Sequence, residues 1–476
     1  MPATITLPLA TKYNVPTPRY TSYPTVPFWK DWTDDSRWRS CFAESFRQHS
    51  AADGISLYIH LPFCESLCTY CGCNKKVTTN HRVEDPYIDA ILKEWRMYTA
   101  LMEAPPVIRE IHLGGGTPTF FSPENLARLV EGILTDSFVH PRHAFSLEGH
   151  PNNTTREHLK VLYGLGFRRV SYGVQDTNPE VQRLINRVQP FEQVRKATEA
   201  ARELGFTSVN FDLVYGLPRQ DADRLVRTIS QSLTQRPDRI AFYSYAHTPW
   251  IHCAQRLIDE EDLPGAEEKL ALYLLGREFF LGQGYTDVGM DHFALPTDEL
   301  VDARSKGTLH RNFMGYTALR SGLLLGLGVS AISDAGTAFA QNDKTLGGYY
   351  RAIATGNLAV KKGYFPDEED VLFRNHILDI SCRGTTSFSD GERPLLDKYT
   401  IPLLRDLEKD GLLHVRDNGV ELTPAGRPFI RNICKAFDLH LLRGQPPLMG
   451  EERPFRCGPG KTGGLHGGRG SFSNAI

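Results

Sequence analysis

The 476-residue chain has almost no excess charge of either sign: Lys and Arg total 54 against 56 Asp and Glu, a formal net charge of −2. A general nucleic-acid binder needs a basic surface, so that class is excluded; a local basic pocket for a small anion is not. Long apolar runs are missing too. No stretch approaches the ~18 uninterrupted apolar residues that span a bilayer. The nearest, Leu323 to Ala340, is broken by Ser330, Ser333 and Asp334. The start, MPATITLPLATKYNVPTPRY, lacks the basic head and apolar block of a secretory signal. A cytoplasmic location with no membrane partner is therefore expected. Evenly spread cysteines are also absent. Four of the nine crowd between Cys64 and Cys73, which reads as metal chemistry rather than a disulfide framework.

What the chain does have is a regular alternation. Six segments, ISLYIHLPF from residue 55, then VIREIHL, HAFSLEG, RRVSYGVQD, SVNFDLVYG and RIAFYSYA, read as strands rich in β-branched and aromatic residues. Between them lie helical stretches such as YIDAILKEWRMYTALME, SPENLARLVEGIL with Ser122 as N-cap, TTREHLKVLYGLG, PFEQVRKATEAARELG and ADRLVRTISQSL. Such alternation predicts an α/β fold with a parallel sheet and helices outside it. Six units are too few for a closed eightfold barrel and suit an open, partial (β/α)6 TIM-like barrel. Its working face lies at the C-terminal ends of the strands.

The expected divisions are residues 1–52, an irregular arm rich in Pro and aromatics; 53–290, the barrel; and 291–365, a connecting segment that completes the site. Residues 366–450 read as a mostly helical C-terminal domain with a winged-helix-like unit, and 451–476 as a flexible Gly-rich tail.

The decisive segment runs Cys64-Glu65-Ser66-Leu67-Cys68-Thr69-Tyr70-Cys71-Gly72-Cys73. Its C-x3-C-x2-C run puts three thiols on one loop after the first strand, and thiolates are the usual ligands of iron–sulfur clusters. A four-iron cluster held by three thiolates keeps one iron open, as a catalytic metal requires. Two plainer readings stand beside this one. A zinc site could use all four cysteines, although Cys71 and Cys73, two apart, are awkward for tetrahedral geometry; or the thiols could be free and buried. At the strand ends, Gly114-Gly115-Gly116-Thr117 allows close backbone approach to a ligand. Glu148, Gln175 and Asp212 end the third to fifth strands, whose interiors read as otherwise apolar, and so face one rim. Asp291-His292 and His310-Arg311-Asn312 read as loop residues with no assigned role.

The cysteine run, with an aromatic just before its third cysteine, resembles the radical S-adenosylmethionine (SAM) superfamily. Within it, YIHLPFCESLCTYCGCNK, LGGGTPT, SYGVQD, VQRLINR, DLVYGLP, YAH, MDHFA and RNFMGYT are similar to the oxygen-independent coproporphyrinogen III oxidases, or coproporphyrinogen dehydrogenases, from about Tyr20 to Ser333. The resemblance implies that Cys64, Cys68 and Cys71 hold a 4Fe-4S cluster while Cys73 does not. It implies that SAM chelates the open iron, and that Tyr58, Tyr70, Gly115, Gly116, Thr117, Glu148, Gln175, Arg187, Asp212, Ala246 and Ile332 bind two SAM molecules. The arm segment Arg19-Tyr20-Thr21-Ser22-Tyr23-Pro24 would close over the site.

The implied reaction is the anaerobic oxidative decarboxylation of coproporphyrinogen III in haem biosynthesis. A 5′-deoxyadenosyl radical takes a hydrogen atom from the β-carbon of a propionate; carbon dioxide and one electron leave, and a vinyl group remains. Two such events give protoporphyrinogen IX. No catalytic side chain is implied beyond the cluster and SAM, the electron donor and acceptor are unnamed, and a monomer is expected. The rivals are a haem chaperone of the same superfamily, a radical SAM C-methyltransferase or cyclopropanase, and a redox-sensing DNA-binding protein built on the helix–wing unit. Cys73 and the Tyr-Thr-Ser-Tyr-Pro arm speak against the chaperones, which typically carry Phe there and lack the arm. Two departures stand out. Glu148 is followed by Gly149-His150-Pro151-Asn152-Asn153, where many relatives have Val-Asp-Pro-Arg, and a Gly-rich block at 456–469 precedes FSNAI.

Overall fold

In the computed structural model, which describes residues 7–444 and 472–475, the alternation becomes one large sheet. Strands β1 (Ile55–Leu61), β2 (Val107–Gly115), β3 (Phe138–Gly149), β4 (Phe167–Gln175), β5 (Ser208–Tyr215) and β6 (Arg239–Ser244) lie side by side in chain order, all parallel. Neighbours that run the same way need a crossover between them. Helices α1 (Glu84–Thr99), α2 (Pro123–Leu134), α3 (Arg156–Gly164), α4 (Phe191–Leu204) and α5 (Ala222–Leu233) supply those crossovers. Their ends are written locally. Ser122 accepts from the Asn125 amide, with Pro123 in the first turn of α2. Thr155 and His158 cap one another at the start of α3. Each helix buries one stripe on the sheet, as Leu126, Leu129, Val130 and Ile133 do in α2.

After helix α6 (Ala266–Gly282), the sheet grows at both edges. Beyond β6 lie two antiparallel strands, β7 (Thr286–Gly289) and β8 (His292–Ala294), of which β8 pairs with β6. On the other side β9 (Leu324–Leu327) adds to β1 in parallel, followed by antiparallel β10 (Ile332–Asp334), β11 (Phe339–Asn342) and β12 (Val360–Tyr364). The outermost strands at the two ends are not paired with each other among the described residues, so the barrel is open. The apolar run 323–340 is thus a set of buried strands. No helix among the described residues is long and apolar enough to cross a membrane.

The arm is less irregular than its composition suggested. It carries helices Leu7–Tyr13 and Ser36–His49, and it buries Tyr20, Tyr23, Phe28, Trp29 and Trp38 in the core. Trp29 stacks on Phe339 of β11 at 5.2 Å between ring centroids. The C-terminal unit combines helices with short strands. Strands Thr385–Ser387, Leu413–Arg416 and Gly419–Leu422 form a small antiparallel sheet beside helices Glu368–Arg383 and Ile401–Lys409. It clasps the arm: Tyr13 packs on Phe429 at 5.4 Å, and the Tyr20 hydroxyl donates to Asp438 at 3.0 Å. Most of the Gly-rich tail lies outside the described residues. Its residues 472–475 return to the arm as a strand-like cover, with the Ser473 carbonyl accepting from Thr17 and the Ala475 amide donating to Val15 at 3.0 and 2.9 Å.

Candidate active site

Alternate residues of a barrel strand point inward. Here those positions are polar. Glu110 and His112 of β2, Ser146 and Glu148 of β3, Arg169 and Ser171 of β4, Asn210 and Asp212 of β5, and Arg239 of β6 face one cavity of about 1040 Å³. The expectation of otherwise apolar strand interiors therefore holds only on the helix-facing side. The volume sits at the upper end for small-molecule sites. Ion pairs seal the bottom. Arg169 meets Glu299 at 2.7 Å and Glu110 at 3.6 Å, while Arg239 meets Asp298 at 2.7 Å and Glu299 at 2.8 Å.

The cysteine loop crosses the mouth. Asn186 donates to the Leu67 carbonyl at 2.7 Å, the Thr69 amide to Ile185 at 3.0 Å, and Gln255 to the Tyr70 carbonyl at 3.0 Å. Cys64, Cys68 and Cys71 all line the cavity. Thr117 donates to the Cys64 sulfur at 3.3 Å and the Cys73 amide to the Cys71 sulfur at 3.4 Å. The Cys71 thiol is drawn down to about 6, first by the hydrogen bond from Cys73, which outweighs burial, with help from Lys75. Burial pushes Cys64 up to about 11, and Thr117 only partly offsets that.

The glycine run also has a packing role. The amides of Gly115, Gly116 and Thr117 are all taken, by Glu148 at 3.1 Å, Leu61 at 2.8 Å and Phe63 at 3.0 Å. A Cβ on Gly116 would meet the Pro62 carbonyl at 2.6 Å. The glycines let β2 nestle against the strand that leads into the cysteines.

Around the rim, Arg187 spans two partners. One Nη donates to the Gly173 carbonyl at 2.6 Å and the other to the Cys68 sulfur at 3.6 Å. Its buried Nε has no partner among the described residues. Burial works against ionisation of Glu148, yet the hydrogen bond and charge of His112 prevail and hold its carboxyl below the usual range. Asp212 goes the other way, pushed up to about 6 by burial and by repulsion from Glu148, although Asn210 and Ser171 donate to it at 2.8 and 3.1 Å. Gln175 ends β4 in a left-handed conformation with φ of 66°. Tyr70, Gln175 and Ala246 complete the wall.

Two expected residues, Tyr58 and Ile332, are not among those that line this cavity. Tyr58, half-buried, stacks on the cavity-lining His112 at 6.0 Å with its hydroxyl on His60 at 3.0 Å, and Ile332 lies on β10 with its backbone against Gly326. Conversely, His112, Asn210, Tyr243, His292 and Asn312 line the cavity without having been singled out for it. The polar residues recurring every second position in β2 and β5 were the overlooked signal for the first two. The departure after Glu148 is also on the wall. Asn153 donates to Glu65 of the cysteine loop at 2.7 Å, and Asn152 to the Val188 carbonyl beside Arg187 at 3.0 Å.

The donor set, three thiols on one loop facing the cavity, fits an iron–sulfur cluster. Among the described residues, no three His, Cys, Asp or Glu side chains gather closely enough for one metal. The thiols at 64, 68 and 71 follow one another along a single loop. The orphaned Nε of Arg187 beside Cys68 suits a carboxylate ligand.

The family model of the radical SAM superfamily matches residues 58–231. The oxygen-independent coproporphyrinogen III oxidases of Escherichia coli and Pseudomonas aeruginosa are 40% and 37% identical to this chain, each match covering 91% of it and 95% of the relative. The solved structure of coproporphyrinogen III oxidase from Escherichia coli, described as a radical SAM enzyme, matches with a TM-score of 0.85 at 37% identity, over 92% of this chain and 100% of that one.

Proposed function

The chain belongs to the oxygen-independent coproporphyrinogen III oxidases of the radical SAM superfamily, and from that membership we propose that it converts coproporphyrinogen III to protoporphyrinogen IX without oxygen, turning two propionates into vinyls. Its cofactors are a 4Fe-4S cluster and SAM, which when bound together supply a hydrogen-abstracting radical.

The chain's own part is to bind, orient and exclude water. Cys64, Cys68 and Cys71 hold the cluster, and Cys73 stays outside the ligand set while its amide supports Cys71. The planar guanidinium of Arg187 grips the SAM carboxylate with its spare Nε edge. Glu148, Gln175 and Asp212 offer polar partners around the same mouth, and Tyr70 an apolar ring face. Gly115, Gly116 and Thr117 contribute carbonyl and side-chain contacts, since their amides are engaged. Tyr58 and Ile332 serve as backing for the wall. A second SAM beside the first goes with membership of this family. The arm and the residues 472–475 paired to it close the mouth, which protects reactive species from water.

One observation carries this reading: three thiols, an arginine with an unpartnered buried nitrogen and a polar lumen meet at one barrel mouth. The test is anaerobic incubation of cluster-reconstituted protein with SAM, a reductant and coproporphyrinogen III. Mass spectrometry should show loss of two carbon dioxide units; tight haem binding without turnover would point to the chaperone instead.

A further inference from the structure

The arm delivers one cation to the cavity. Arg19 lines the mouth and donates to the Ser244 carbonyl at the end of β6, at 3.0 Å. The backbone on either side of it is pinned. Four consecutive carbonyls each accept from a guanidinium: Thr17 and Pro18 from Arg431, and Arg19 and Tyr20 from Arg311 at 3.0 and 2.8 Å. Tyr20 adopts φ of 48°, a left-handed conformation that strains a non-glycine residue. That kink sends the Tyr20 ring into the core and leaves the Arg19 side chain at the cavity. Strain of this sort persists where the surroundings enforce it, often at working sites.

Two further cations stand close. Lys269 of α6 crosses Gly216 and donates to the Tyr245 carbonyl at 2.6 Å. Burial, then the charges of Arg19 and Arg431, draw Lys269 down to about 7, and burial and Arg19 draw Arg431 down to about 10. Among the described residues, Arg19 and Arg431 donate only to backbone carbonyls. Asp291, a carboxylate whose field reaches both, is already engaged by His292 at 2.8 Å. Arg19 is thus the member of this group that lines the cavity, with Arg431 and the partly protonated Lys269 buried behind it, an arrangement that an anionic ligand relieves.

We propose that Arg19 grips a propionate carboxylate of the porphyrinogen, with Lys269 and Arg431 supplying the positive field behind it. The proposal rests on the substrate assigned above. Arg311, and Arg431 in its second role, are positioning residues that fix the arm so that Arg19 faces inward.

The test uses the reconstituted holoenzyme as wild type, Arg19→Gln, Arg19→Lys and Lys269→Gln. Binding of coproporphyrin III and steady-state turnover of coproporphyrinogen III are measured at two salt concentrations. Arg19→Gln should weaken porphyrin binding and raise KM by roughly ten- to hundredfold, with kcat changed far less. Arg19→Lys should recover part of the loss, Lys269→Gln should show a smaller one, and the salt dependence should flatten in Arg19→Gln. Unchanged affinity and KM in Arg19→Gln would overturn the proposal, as would equal losses in the Lys and Gln variants. A wild-type enzyme that leaves coproporphyrinogen III unconverted would instead refute the substrate assignment, which the porphyrin-binding series reads separately.

Discussion

Asp212→Asn should make the cofactor-free protein more stable at neutral pH while impairing the enzyme. Burial and the neighbouring Glu148 lift the Asp212 carboxyl from its ordinary 3.8 to about 6. At about 1.4 kcal/mol per unit, that shift corresponds to an upper bound of ~3 kcal/mol. Water in the open cavity lowers the figure to ~1–2 kcal/mol. The folded state holds this proton more tightly than the unfolded state. The associated stability is therefore fully present below about pH 4 and is lost as pH rises through 6. Asparagine has no charge to bury. Its carbonyl can accept from Asn210 and its amide can donate to Ser171, replacing the bonds now at 2.8 and 3.1 Å. Urea unfolding of wild type and variant, run anaerobically without the cluster, should give equal stabilities near pH 4 and an advantage to the variant of ~1–2 kcal/mol at pH 8. A gap that does not change with pH, or a wild type that is the more stable at pH 8, would refute the reasoning. The same variant should need more SAM for half-maximal cleavage, a trade of stability for function.

Further outcomes follow from the mouth of the barrel. Changing Cys64, Cys68 or Cys71 to Ala should abolish bound iron and SAM cleavage, whereas Cys73→Ala should keep the cluster, as iron analysis and absorption would show. Gly116→Ala puts a methyl 2.6 Å from the Pro62 carbonyl; it should cost ~1–3 kcal/mol and lower the iron content by displacing the cysteine loop. Arg187→Lys keeps the charge but loses the fork, so the SAM requirement should rise at least tenfold while iron content holds. Deleting residues 1–30 would strip Tyr20, Tyr23, Phe28 and Trp29 from the core. Thermal unfolding should therefore show broad destabilisation.

Much of the architecture was legible because it is written in local patterns. The strands rich in β-branched and aromatic residues and the amphipathic helices, one of them opened by Ser122 before Pro123, announce themselves within a dozen residues. The same holds for the thiols, which a loop of ten residues brings together whatever the rest of the chain does. The arm was less legible. Its prolines mask two helices and a set of aromatic anchors whose partners, such as Phe339 for Trp29, lie some three hundred residues away. The Leu323–Ala340 run was ambiguous because apolarity alone does not tell a buried strand from any other buried segment. Pairing with β1 is what settles it as sheet.

The amino-acid order by itself determined the chemistry that can occur: which residues can be thiolates, which segments must be strands, and that helices must cross between them. Only the tertiary structure decided which face of each strand looks into the lumen, because one step of register would turn Glu148 and Asp212 outward. It also decided that the Gly116 amide serves the β1 end while Arg187 keeps a nitrogen spare. Arg19, Lys269 and Arg431 are hundreds of positions apart in sequence, and they share a field only because the arm, the sixth helix and the C-terminal unit converge on one barrel mouth. Coulomb interactions depend on distance in space, and no property of the linear chain records it.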